Sequence, residues 1–208
     1  MKGVVLSLCD RTGNMVLPWL EAGYEALTID IKEPFRSNGA VATIADIRQW
    51  HYPLRLERPK IIFAFPPCTN LSVSGARWFK EKGLRGLIDG LELVERCREI
   101  CEGSGAPWMI ENPVSTLASY WRKPDFSFHP WEFTKFELSD NFTKKTCLWI
   151  GGGFVMPRAS VAQGVPTPDN RIHFASPGEA RADFRSATPM GFARAVFEAN
   201  SPKLAQVA

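Results

Sequence analysis

Two short apolar runs flanking a helical stretch constrain this chain more than any other feature. Residues 3–8 (GVVLSL) and 26–31 (ALTIDI) are apolar and partly β-branched, as buried strands are. Between them, residues 15–22 read as a helix in which Pro18 is tolerated only near the start, with Gly23 as its C-cap. Strand, helix and strand within about 30 residues is the βαβ unit of a parallel sheet. Residues 60–65 (KIIFAF) predict another strand, stopped by Pro66 and Pro67. Leu84, Leu87, Ile88, Leu91, Val94 and Cys101 recur at helical spacing and predict a long amphipathic helix over 81–103. Residues 108–110 (WMI) predict a strand stopped by Glu111-Asn112-Pro113. The alternation predicts an α/β fold with an open, doubly wound, mostly parallel sheet.

The character changes near Ser115. Residues 118–170 are rich in Trp, Phe, Pro, Gly and Lys, and their weak periodicity predicts loops and hairpins, with a short antiparallel excursion over 144–150. Residues 186–199 return to helix, with Ser186 or Thr188 as N-cap and Pro189 at the first helical position. A length of 208 residues with 45% hydrophobic content suits one domain over 1–208, in which 115–185 form a small substrate-recognition region. No run of 18 apolar residues occurs, so no membrane span is expected. Five scattered cysteines, an odd number, predict free thiols and a reducing, cytoplasmic setting. A net charge of +3 permits a polyanionic partner without demanding one. Cys97 and Cys101 share a helix face as two small core residues, and His129 and His173 lack metal-ligand spacing, so no metal is expected.

In a doubly wound sheet, ligands bind beyond the carboxyl ends of the strands. Three unusual segments fall at such ends: residues 9–14, 66–72 and 111–113. Asp30 and Asp46 close two further edges. The prolines before Cys68 fix the backbone and hold the thiol at the edge of the sheet. Each of these segments also has a purely structural explanation, a buried thiol in one case and a turn cap in the other. A strand-end cysteine beside a strand-end carboxylate, however, makes a nucleophile and acid pair.

These turns resemble the Pro-Cys and Glu-Asn-Val motifs of the cytosine C5-methyltransferases. The order along the chain is similar too. Leu8 and the loop of Cys9, Asp10, Arg11, Thr12, Gly13 and Asn14 resemble that family's first, glycine-rich cofactor loop, with Asp10 and Thr12 where glycines usually lie. Glu21-Ala22-Gly23 and then Asp30-Ile31 resemble the helix end and the acidic ribose-binding position. Ala45-Asp46-Ile47 resembles the segment that contacts adenine, and residues 191–199 resemble the closing helix. The family's Gln-x-Arg-x-Arg segment is absent, and Lys144-Lys145-Thr146 stands near its place. The large target-recognition domain is absent as well, a compact form similar to short methyltransferase-like proteins of bacteriophages and prophages.

The resemblance implies a Rossmann-like fold and S-adenosylmethionine as cofactor, with Cys9, Asp10, Thr12, Gly13, Asn14, Asp30, Ile31, Asp46, Ile47 and Pro66 around it. It implies methyl transfer to C5 of cytosine in DNA. Cys68 would add to C6, Glu111 would activate the ring at N3, and Asn112 and Lys145 would assist. Asn70 is a further candidate for orienting these groups. The alternatives are a free cytidine nucleotide or single-stranded nucleic acid as substrate, amine methylation, or a non-catalytic partner subunit. A homodimer or a recognition partner is the expected source of extra contact surface. Trp78, Trp121, Trp131 and Trp149, interleaved with Arg77, Lys80, Arg122, Lys123 and Lys135, are candidates for stacking bases, although at least half of them are expected in the core.

Overall fold

The computed structural model describes residues 2–34, 39–53, 56–174 and 185–202, the last two residues of the third span by backbone alone. Its strands are β1 (Val4–Leu8), β2 (Glu25–Asp30), β3 (Val41–Ile44), β4 (Ile61–Ala64), β5 (Trp108–Pro113), β6 (Phe126–Phe128) and β7 (Thr146–Gly151). Its helices are α1 (Leu17–Glu21), α2 (Phe79–Ser104), α3 (Leu117–Tyr120), α4 (Arg171–Phe174) and α5 (Met190–Asn200). The strands form one sheet in the order β3-β2-β1-β4-β5-β7-β6. The first five are parallel, and β7 enters antiparallel between β5 and β6. This is the doubly wound, Rossmann-like arrangement that the sequence predicts. Its order reverses between β1 and β4, which opens a crevice at their carboxyl ends.

Strand alternation sends side chains to two cores. Val5, Phe63, Met109 and Leu148 pack on one face against Trp19 of α1 and Phe192 and Val196 of α5. Leu6, Ile62, Ile110 and Trp149 pack on the other face against Val94, Cys97 and Cys101 of α2. The two helical cysteines are therefore core residues, and all five cysteines are free. Full burial of side chains such as Phe63 and Ile62 stabilises the sheet by about 1.5–3 kcal/mol each relative to exposure.

Several elements differ from their expected form. β3 and β6 carry no strong sequence signal because they are short edge strands, and β3 has three exposed positions out of four. β5 does not stop at Ile110. Its backbone continues through Glu111, Asn112 and Pro113 because β7 offers antiparallel partners, with Glu111 opposite Leu148. α2 is broken at Gly83, whose φ of 60° and ψ of −166° lie outside the helical region and are open only to glycine. Just after that break the expected apolar stripe is not covered: Leu84 and Ile88 are exposed.

The closing helix begins at Met190, later than expected, and Ser186 and Thr188 do not cap it. Its cap comes from far away. Asp140 Oδ2 accepts a hydrogen bond from the Gly191 amide at 2.7 Å. A Cβ on Gly191 would sit 2.7 Å from the Phe133 carbonyl oxygen, so only glycine allows this approach.

Candidate active site

Three loops meet at the carboxyl edge of the sheet. The first follows β1. Asp10 is buried, and its carboxylate accepts from Ser7 Oγ at 2.7 Å, Gly13 N at 2.8 Å, Thr12 Oγ1 at 2.9 Å and Thr12 N at 3.1 Å. A carboxylate with four donors is a scaffold for the loop rather than a free ligand group, and it supplies the curvature that glycines would otherwise give. Asn14 donates its side-chain amide to the Thr188 carbonyl at 2.9 Å, tying the loop to the segment before α5. Cys9 is the one non-glycine residue at positive φ (55°) among the described residues. A hydrogen bond to Cys97, and then burial, push its thiol well above the ordinary range. Its side chain thus faces α2, which leaves the backbone of Cys9 for any ligand.

The second region lies at the ends of β2 and β3. Burial raises the Asp30 carboxyl above the ordinary carboxylate range, against the Lys32 amide that bonds it at 2.9 Å. Ile31 is exposed beside it. Asp46 is held differently. Arg48 grips it with Nε at 3.1 Å and Nη2 at 2.9 Å, and its own amide adds a bond at 3.0 Å. These bonds keep the Asp46 carboxyl below the ordinary range. Ile47 is a core side chain, and its carbonyl accepts from Arg96 Nε at 3.3 Å.

The third region joins the ends of β4 and β5. Pro66 is buried, and its carbonyl accepts from Asn112 Nδ2 at 2.9 Å. The Cys68 carbonyl accepts from Leu71 N at 3.0 Å and Ser72 N at 2.8 Å, which closes the turn after the two prolines. Val73 N donates to the Val114 carbonyl and Thr116 N to the Leu71 carbonyl, each at 3.0 Å, so the two loops form one body.

The electrostatics couple the groups in this body. Burial pushes the Glu111 carboxyl above its ordinary value, while Lys144 pulls it down. Burial, and then the charge of Glu111, push the Cys68 thiol up, and Lys144 and Arg185 pull it down. The thiol and carboxyl therefore sense one another and share one cation. The charge of Glu111 opposes the Cys68 thiolate, and a proton on Glu111 would remove that opposition. Such a pair can present a nucleophile and a proton donor together.

Lys144 is the cation whose charge acts on both Cys68 and Glu111. Glu111 pairs with Leu148, so the even-numbered positions of β7 share its face, and Lys144 keeps that parity. Its Nζ donates to the Ala187 carbonyl at 3.3 Å. Lys145 is exposed, and its charge acts on Cys147 instead. Arg185 is a residue that the sequence reading missed, since it belongs to no motif and reaches Cys68 only through the fold.

Most tryptophans are accounted for by packing. Trp149 is in the core, Trp121 stacks on it at 5.8 Å, and Trp131 is half-buried. Trp78 is 46% exposed. Among the described residues no cluster of three or more His, Cys, Asp or Glu could hold a metal ion, and no helix is long and apolar enough to cross a membrane. A cavity of about 340 Å³ lies on the α2 face between Leu6, Ile62, Tyr52, Arg58 and Ile100, and no strand-end residue of the candidate site lines it.

No protein-family model matches the chain. No curated protein sequence matches it significantly. Among solved structures it is similar to the glycopeptide N-methyltransferase MtfA, at 15% identity and a TM-score of 0.32, over 61% of this chain and 52% of that one. The same protein complexed with S-adenosyl-L-homocysteine is 16% identical with a TM-score of 0.32, over 61% of this chain and 51% of that one. The chain thus spans about half the length of these solved chains.

Proposed function

We propose that this chain is an S-adenosylmethionine-dependent methyltransferase acting on C5 of cytosine in DNA, with Cys68 as nucleophile and Glu111 as acid. The observation that carries the reading is the shared electrostatics of Cys68 and Glu111, which follow the paired residues of adjacent parallel strands, with Lys144, which precedes β7. C5 of cytosine is a poor nucleophile, and a thiolate bonded to C6 makes it enamine-like. The Glu111 carboxyl, which burial pushes above its ordinary value, would donate to N3 as negative charge develops on the ring. Lys144 would keep the thiol ionisable and balance the carboxylate when the proton leaves. Asn112 would position both groups through its bond to Pro66. Once C5 carries the methyl group, loss of its proton to water and departure of Cys68 as a thiolate would restore the aromatic ring.

The residues of the crevice fit the cofactor. Asp30 stands half-buried at the end of β2, suited to a pair of ribose hydroxyls, and the Asp10-ordered loop offers backbone groups beside it. Asp46 would meet an adenine amine only by sharing its carboxylate with Arg48. When bound, the cofactor would supply an electrophilic methyl group on a sulfonium.

The test is DNA containing 5-fluorocytosine, incubated with the protein and S-adenosylmethionine. A covalent adduct at Cys68, seen by mass spectrometry and absent in Cys68→Ser, supports the reading. Near-normal methyl transfer by Cys68→Ser would overturn it and make amine methylation the mechanism.

A further inference from the structure

We propose that the surface formed by the 3-10 turn Val73–Trp78 and the start of α2 docks single-stranded DNA and leads it to Cys68. The proposal rests on the reading above and names the form of its substrate. This surface is the place where the helical apolar stripe fails to be buried. Val73 is 51% exposed, Trp78 46% and Leu84 79%. It is also cationic. Residues 77–85 hold Arg77, Lys80, Lys82 and Arg85 against Glu81, an excess of three that equals the +3 of the whole chain. Arg77, Lys80 and Arg85 form no salt bridge among the described residues. The Arg77 guanidinium lies 5.0 Å from the Trp78 ring centroid, so a stacking ring and a phosphate-binding charge stand together.

The surface is continuous with the thiol loop. Lys82 Nζ donates to the Thr69 carbonyl at 2.5 Å, one residue from Cys68. Leu71 and Ser72, which close the Cys68 turn, lead directly into Val73. The break at Gly83 falls within this surface, with Lys80 and Lys82 before it and Leu84 and Arg85 after it.

The chemistry selects the occupant. An exposed aromatic ring beside cations takes an unpaired base by its π-face and the backbone by its charge. Reading a duplex instead requires an element that fills the major groove. A single strand also presents its cytosine already out of a base pair, which removes the cost of flipping it.

The experiment is fluorescence anisotropy of wild-type protein with a dye-labelled, cytosine-containing single-stranded DNA, its duplex, and RNA of the same sequence, over a range of salt. The single-stranded DNA should bind more tightly than either of the others. Trp78→Ala should weaken its binding by roughly tenfold, and Trp78→Phe should keep most of it. Arg77→Ser combined with Lys80→Ser should lower the slope of log affinity against log salt by about 0.7 per cation removed. Lys2→Ser with Lys60→Ser, exposed cations at the amino ends of β1 and β4, should leave both quantities unchanged. Tighter binding of the duplex, equal binding of the RNA, or an unaffected Trp78→Ala variant would overturn the proposal. The assay uses no cofactor and reads no methyl transfer, so its failure is distinguishable from failure of the Cys68 trapping experiment.

Discussion

Asn112 donates its side-chain amide to the carbonyl of Pro66, a side-chain bond between the strand end carrying Glu111 and the loop carrying Cys68. The donor is almost wholly buried, so breaking the bond leaves the carbonyl with no replacement from water. Asn112→Ala should cost about 1–3 kcal/mol of stability, read from urea or thermal unfolding. It should lower turnover more than cofactor affinity, because Asp10 and Asp30, proposed to order and hold the cofactor, follow β1 and end β2. An unfolding midpoint equal to wild type would remove this bond from the account of the site.

Glu111→Gln tests the raised carboxyl through stability. Burial lifts the folded-state value above the unfolded one, so the folded protein binds this proton more tightly. The stability it contributes is fully present below the unfolded value and is lost as pH rises through the folded value. Gln keeps the shape and never ionises. The variant should therefore match wild type at low pH and become the more stable of the two as pH rises towards neutral. Melting temperatures measured at a series of pH values check this, and a difference independent of pH would contradict it.

Lys144→Met removes the cation that lowers both Glu111 and Cys68. The Cys68 thiol should then ionise at higher pH, with Arg185 still acting on it. Alkylation of Cys68 by iodoacetamide, followed by peptide mass spectrometry, should show a rate profile displaced to higher pH. Lys145→Met should leave that profile in place, because Lys145 acts on Cys147. Equal effects of the two variants would refute the choice of Lys144.

Asp140→Ala removes the cap on α5. Loss of a capping carboxylate costs about 0.5–2 kcal/mol, and here it exposes the Gly191 amide in a buried setting. Gly191→Ala should cost about 1–3 kcal/mol for a different reason, since its methyl would press on the Phe133 carbonyl. Denaturant unfolding of both single variants and the double variant would show coupling, since both act on one helix start.

The parallel core of the fold was legible because β1, β2 and β4 are near-continuous apolar runs, as strands covered on both faces are. β3 and β6 were not legible, because edge strands need no such pattern. Cys68 and Glu111 could be found from their positions after apolar strands. The strand character of Glu111 could not, since it depends on the pairing with Leu148. Which of Lys144 and Lys145 acts on Glu111 is likewise a matter of folded position, since the two are adjacent in sequence and alike in chemistry. Asp10 was legible as a member of the first loop but not as its scaffold, a role that rests on the geometry of its four donors. Asp140 and Arg185 reach their targets across folded distances that no local pattern encodes.

The insertion of β7 between β5 and β6 also fixes an order in time. A chain made from its N-terminus delivers β1 to β5 first, and these can pair among themselves. β6 leaves the ribosome before its one partner, β7, exists, so Phe126 and Phe128 wait unpaired until residues 146–151 arrive. Glu111 waits as well. Its strand is complete early, but Lys144 comes 33 residues later, and Ala187, whose carbonyl receives Lys144, later still. A nascent chain therefore holds a carboxyl and a thiol without their counter-charge, and the site becomes electrically whole only as the final helix docks.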